Sequence, residues 1–317
     1  MSAKDTADAK RTVVSFSGHE TFVFRHGWLK KAVDAVRRNP AAFTSDDALV
    51  ELGVGKNMVR AIRHWALATG ILEEEPRTRG AQLRPSSLGE FLFGEQGRDP
   101  YLEDPNSLWL LHWNLVTAEG RATTWCWALN LLRSNEFTRE SLTEVVSDEL
   151  RRRAAEVPSE HSLRRDIDCF IRTYVTPKVT RGAVLEDSLD CPLVELGLLE
   201  EDSVSGTFRF RRGFQKSLSA EVFVYALVDF WNKVAPERES LAFTDIAYGF
   251  GSPGAAFKMD EGSLAERLER LEDATDGNLA YVETAGLKQV YRRSAAPSLE
   301  LLARYYEYSD PSLVSGA

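Results

Sequence analysis

Cysteine is scarce in this sequence: there are three in 317 residues, odd in number and widely spaced (Cys126, Cys169, Cys191), each among apolar neighbours. That count and spacing fit neither a disulfide framework nor a thiolate metal site, and predict buried thiols in a reducing cytoplasm. The five histidines form no H-x3-H or H-E-x-x-H pair, which removes the common zinc patterns. No apolar run approaches the roughly 20 residues that span a bilayer, so no membrane partner is expected. Met1 to Arg11 lacks the apolar stretch of a signal peptide, and 1–12 reads as a frayed tail. Positive charge is not in excess either. The 39 Lys and Arg face 48 Asp and Glu, a formal charge of −9, which argues against an indiscriminate polyanion binder but leaves room for a local basic face.

Catalytic signatures are equally thin. Gly53-Val54-Gly55-Lys56 lacks the first glycine of a phosphate loop, and Asn57 stands where Ser or Thr is required. A restriction-type nuclease core needs Asp/Glu-x-Lys on a strand, and the only such triplet, Asp8-Ala9-Lys10, lies in the tail.

What the chain does have is 43% hydrophobic and 10% aromatic residues, ample for a packed core, and a recurring order of elements. Phe43-Thr44, Phe137-Thr138 and Phe243-Thr244 each open a unit, with Thr as the expected helix N-cap and acids after it. A short helix, a turn and a longer amphipathic helix follow: Lys56 to Thr69, Ser162 to Tyr174, and Ser263 to Asp273. Each unit closes on a hairpin around a glycine turn: Gly70–Glu73 with Gln82–Arg84, Gly197–Glu200 with Thr207–Arg211, and Leu279–Val282 with Gln289–Arg292. Helix, turn, helix, hairpin is the winged-helix order. The expected fold is mainly α with small β wings: multiple winged helix-turn-helix units joined by helical connectors at Leu108 to Leu132 and Ala220 to Val234, where Trp109, Trp113, Trp125 and Trp127 read as packing. We divide the chain into the tail, a region 13–118 whose winged helix spans about 41–93, a middle region 119–218 and a final region 219–317.

The first unit carries the sharpest functional signal. Met58, Val59, Ile62 and Ala66 make an inward stripe, and Lys56, Arg60, Arg63 and His64 are assigned to the opposite face, with no acid between Asn57 and Thr69. A recognition helix in the major groove uses such a face, taking phosphates with Lys and Arg and base edges with Asn or Arg. The predicted footprint on double-stranded DNA is Lys56, Asn57, Arg60, Arg63 and His64, with Arg77, Arg79 and Arg84 in the first wing and Arg209, Arg211, Arg212 and Lys216 in the second. The second long helix shows a mixed face (His161, Arg165, Asp168, Arg172). The third shows Glu266, Arg267, Glu269, Arg270 and Asp273, which suits a protein contact such as a homodimer.

Two polar clusters are candidates for chemistry. Asp99, Glu103 and Asp104 offer oxygen ligands to Mg²⁺, which needs only one or two carboxylates beside phosphate. His19, Glu20 and His112 are candidate bases or positioning groups. The alternative is a buried network of helix caps and salt bridges that locks the amino-terminal stretch onto the connector helix.

Gly18-His19-Glu20-Thr21-Phe22, Trp28-Leu29-Lys30, Leu52-Gly53-Val54-Gly55-Lys56-Asn57-Met58-Val59, Asp99-Pro100-Tyr101-Leu102-Glu103-Asp104 and Leu108-Trp109-Leu110-Leu111-His112-Trp113 together resemble one bacterial family. This is the SspB-like family, of unknown function and found beside the sulfur-transfer enzymes of DNA phosphorothioation. The resemblance is carried by roughly residues 15–117, and the order and length suggest that the family spans the chain. It implies a part in DNA sulfur modification for anti-phage defence, a nicking activity that opens one strand, and SspA-, SspC- and SspD-like partners. The leading expectation is thus a DNA-binding component that nicks one strand. The alternatives are a non-enzymatic winged-helix regulator or scaffold, and a protein-interaction module that never meets DNA.

Overall fold

The computed structural model describes residues 14–176, 191–294 and 298–309, so the expected tail and its Asp8-Ala9-Lys10 triplet lie outside the described residues. The architecture is mainly helical with three small antiparallel sheets. The first unit runs α1 (Trp28–Arg38), α2 (Ala48–Leu52), α3 (Lys56–Ala68), the hairpin β1 (Leu72–Glu74) with β2 (Leu83–Pro85), and α4 (Ser87–Phe93). Gly53, at φ 62°, closes α2 in the left-handed conformation that a side chain would strain. Val59, Ile62 and Ala66 are buried as the periodicity predicts, Met58 is half-buried, and Trp65 joins the buried face.

The other two units each add a strand that the hydrophobic pattern did not reveal. In the second, β3 (Glu136–Phe137) precedes α7 (Arg139–Arg152) and α8 (Glu160–Tyr174), with β4 (Leu199–Asp202) and β5 (Thr207–Phe210) forming the hairpin. The third runs β6 (Ser240–Ala242), α10 (Phe243–Tyr248), α11 (Pro253–Ala256), α12 (Glu261–Glu269), α13 (Leu271–Ala274), β7 (Leu279–Thr284) and β8 (Leu287–Arg292). The sheet orders are β3-β5-β4 and β6-β8-β7, so both units pair the strand before their helices with the last strand of the wing. The first unit keeps a remnant of this arrangement: the Leu83 amide donates to the Pro40 carbonyl at 2.9 Å. These added strands are two or three residues long, too short to show alternation.

The recurring Phe-Thr pair has three different roles. Thr138 is a true N-cap, sharing a capping box with Ser141. Thr44 instead holds a turn, its hydroxyl donating to Ala41 and Ala81 carbonyls, and Asp47 occupies the α2 N-cap. Thr244 lies inside α10, which starts at Phe243. The first connector is two helices, α5 (Pro105–Thr117) and α6 (Thr123–Asn130), broken around Gly120, and the second is α9 (Ala220–Val234) as expected. The carboxy-terminal α14 (Ser298–Ser309) packs along α9. Trp109, Trp113, Trp125 and Trp127 are fully buried packing residues within one continuous core running from Phe24 to Tyr306. All three cysteines are buried, and no helix among the described residues is long and apolar enough to cross a membrane.

Candidate nucleic-acid interface

Helix α3 begins at Gly55 with no side-chain cap and no acid in its first turn. Its free amides and dipole therefore present positive potential to solvent. Lys56, Asn57 and Arg60 stand exposed along this end. Arg60 reaches the Glu20 carboxylate at 3.3 Å, an exposed pair that a phosphate can exchange with at little cost. Arg63 is partly buried and donates to the Gly80 carbonyl at 2.9 Å, tying the helix to the wing tip. Burial holds the Arg63 guanidinium below its ordinary value, with Glu74 opposing the shift and Arg121 adding to it.

The wing disposes of its own acids. Arg84 pairs with Glu73 at 2.8 Å and Glu75 at 3.4 Å, and Arg121 takes Glu74 at 2.8 Å. Arg77 and Arg79, both at positive φ in the tight tip, remain exposed. Arg84 is thus a neutralising residue more than a free cation.

His64 departs from its sequence assignment. Eight residues at ~100° each leave it about 80° round the helix from Lys56, whereas Arg63 falls within about 20°. Its ring turns under Gly18, where a Cβ would sit 2.5 Å from Nδ1, and its buried Nε2 has no hydrogen-bond partner. Burial first, then neighbouring His19 and the cations Arg121 and Arg63, push its pKa down to about 3, although Asp166 opposes them. An uncharged, inward imidazole is not part of an open DNA-facing strip.

Beside α3 the loop 17–21 is pinned to α8. Asp166, buried on α8, accepts from the Ser17 amide at 2.6 Å, His19 Nε2 at 2.8 Å and the Thr124 hydroxyl at 2.5 Å. His19 Nδ1 accepts the Thr21 amide at 3.0 Å, so Nε2 carries the proton. Both ring nitrogens are thereby committed, and the residue orients the loop that holds Glu20 beside Arg60. The sequence reading missed Asp166, yet its spacing gave a signal: it sits within the apolar stripe Leu163, Ile167 and Phe170.

The remaining candidates do not converge. Asp99 accepts the Glu103 and Asp104 amides at 2.9 and 3.0 Å, and Asp104 caps α5 by accepting from the Asn106 amide at 2.7 Å. Asn106 and Ser107 bond the Tyr305 and Tyr306 hydroxyls, so this cluster serves the junction with α14. Only Glu103 is left exposed without such work. His112 is wholly buried: Nε2 donates to the Ala256 carbonyl at 2.9 Å and Nδ1 accepts from Tyr174 at 2.8 Å, with burial pushing its pKa down to about 4. Among the described residues no group of three or more His, Cys, Asp or Glu is placed to hold a metal ion. In the second wing Arg209 pairs with Glu200 at 3.2 Å, Arg212 donates to Asn135 at 3.2 Å, and Arg211 donates to the Leu196 carbonyl at 3.4 Å, while Lys216 is exposed. In the third unit Arg267 is not on the outer face as assigned; it is buried, donating to the Phe214, Gln215 and Leu218 carbonyls.

Comparison with known proteins follows the same outline. The structure is similar to a crystal structure of SspB and to a magnesium-ion-bound crystal structure of SspB, at TM-scores of 0.82 and 0.83. In each case the identity is 35% over 94% of this chain and 90% of the other. No curated protein matches the chain. The family model for a protein of unknown function, DUF4007, matches residues 16–306. The chain therefore belongs to the DUF4007 family.

Proposed function

We propose that the chain docks on duplex DNA through α3 and the first wing, as a non-enzymatic DNA-binding component of a phosphorothioation assembly whose sulfur-transfer proteins (SspA-, SspC- and SspD-like) it positions on the strand. The observation that carries this reading is the uncapped, acid-free start of α3, with Lys56, Asn57 and Arg60 exposed and with Arg77 and Arg79 exposed in the wing that Arg63 ties to the helix. Lysine and arginine on such a face take phosphates, and Asn57 is the residue suited to a base edge. The likeness to SspB supports the choice of assembly. Lys56→Glu with Arg60→Glu tests the docking: duplex binding by anisotropy collapses, while the far-ultraviolet circular dichroism stays that of the parent. Unchanged binding would refute it.

Strand nicking is the second reading, favoured by the magnesium ion bound in the solved SspB. The residues here do not fit a ready-made protein cage. Both Asp99 oxygens hold backbone amides, and Asp104 is a helix cap. Mg²⁺ would instead reach this chain as a phosphate-bound ion with most of its waters, touching one carboxylate such as Glu103. Purified protein with supercoiled plasmid and Mg²⁺ decides between the readings: docking alone leaves the plasmid supercoiled, and open circles would establish nicking. Retention of open circles by an Asp99→Ala/Glu103→Ala/Asp104→Ala variant would remove that cluster from the chemistry.

The third unit is read as a protein contact. On its wing, Val282, Leu287 and Tyr291 fall on one outward strand face and are exposed. Sedimentation velocity on the full chain tests a homodimer through this unit.

A further inference from the structure

The outward face of α3 does not stay open along its length. Towards its carboxyl end it runs into a cavity of about 320 Å³, roofed by the 17–21 loop and closed at the side by the Gly120–Arg121 turn between α5 and α6. Gly18, Glu20, Arg60, Arg63, His64 and Arg121 line it. Three arginines therefore border one small space, with Glu20 as the lining carboxylate and Glu74 paired to Arg121 outside it.

Each arginine already has a partner: Arg60 has Glu20 at 3.3 Å, Arg63 the Gly80 carbonyl at 2.9 Å and Arg121 Glu74 at 2.8 Å, of which Glu20 itself lines the cavity. A guanidinium carries five N–H donors, so each keeps donors for a ligand. Arg121 also disfavours the charge on Arg63. Arg63 is lowered first by burial, opposed by Glu74, and lowered again by Arg121, and both arginines act on His64. A partly buried cation such as Arg63 is relieved by an anion beside it. The half-buried His64 ring, whose enclosed Nε2 is unpartnered, adds a neutral polar wall. Gly18 is the residue that admits this ring, because a Cβ there would meet Nδ1 at 2.5 Å.

We propose that this cavity seats one phosphodiester of the DNA strand that runs past α3, gripped by Arg60, Arg63 and Arg121. The inference rests on the reading of α3 as the DNA-facing helix and adds a discrete site to it. A seated phosphodiester fixes the register of one strand against the protein, and Arg121, outside the winged helix, is the residue that sequence reasoning had no cause to include. A diester keeps its single charge from pH 6 to 8, and His64 stays neutral there, so seating is independent of pH across that range.

Duplexes carrying one uncharged methylphosphonate, moved linkage by linkage, test the proposal. One linkage is expected to cost wild-type protein several-fold in affinity and to cost Arg121→Gln clearly less, because Arg60 and Arg63 still hold the phosphate, a non-additive pair. Glu74→Gln removes the same ion pair but leaves the cation, so it keeps the linkage effect. A purely structural Arg121 would make the two variants alike and overturn the proposal, as would additive losses at every linkage. Inorganic phosphate is expected to displace DNA no better than chloride at matched ionic strength; stronger displacement without a coupled linkage assigns the cavity to a free anion and overturns the proposal. Wild-type protein that binds no duplex refutes the α3 reading and this site with it, whereas binding without a coupled linkage refutes the site alone.

Discussion

Salt dependence is the sharpest quantitative consequence of the α3 face. Lys56, Arg60, Arg77 and Arg79 are exposed, and the acids of the wing are already paired. Taking each as one phosphate contact, about four counterions leave the DNA, and log affinity falls with log salt at a slope of about −3.6. Between roughly 50 and 200 mM salt this is about a 150-fold loss of affinity. Lys56→Gln with Arg60→Gln halves the slope to about −1.8, and the same salt change then costs only about 12-fold. Arg84→Gln is the matched control, since its guanidinium already lies between Glu73 and Glu75, and its slope stays with the wild type. Anisotropy titrations of a labelled duplex at four salt concentrations give all three slopes. A wild-type slope shallower than about −1, or a double variant indistinguishable from it, would refute the phosphate-contact account.

Three stability predictions accompany it. Asp166→Ala leaves the Ser17 amide, the His19 imidazole and the Thr124 hydroxyl without their acceptor in the interior, a loss of about 3 kcal/mol in urea denaturation; a cost under ~1 kcal/mol would contradict the network. Arg267→Met strands three carbonyls ahead of α9 and lowers stability by about 2–3 kcal/mol, an unchanged midpoint being the contrary result. Unfolded imidazole titrates near 6.5 while His112 resists protonation down to about 4, so the unfolded chain binds more protons in between. The contribution of His112 is therefore complete above pH 6.5 and declines by about 3 kcal/mol as pH falls to 4, a decline that His112→Gln should remove from the total and that the same denaturation at both pH values measures.

Much of the outline was legible because it depends on local pattern. Periodicity placed α3 and α9 to within a residue, glycine turns placed all three wings, and the absence of acids marked α3 as the basic helix. The strands β3 and β6 were not legible, since two or three residues carry no alternation and form only by pairing with a distant hairpin. Among the proposed site residues, the exposure of Lys56, Asn57 and Arg60 followed from helix geometry alone. The cluster 99–104 looked equally promising, yet whether a carboxylate coordinates a ligand or caps a helix depends on which amides lie within reach, and here those amides are its own.

The sequence by itself determined the mainly helical winged-helix order and the cationic start of α3, because helix phase and turn chemistry are set by neighbours a few residues apart. Only the tertiary structure decided the fates of His64, Asp166 and Arg121. His64 was turned inward beneath Gly18, Asp166 reached 149 residues back to the Ser17 amide, and Arg121 was brought beside a helix more than fifty residues earlier in the chain. Burial and charge at these positions are set by chain segments that meet only on folding, and no local window of sequence contains them.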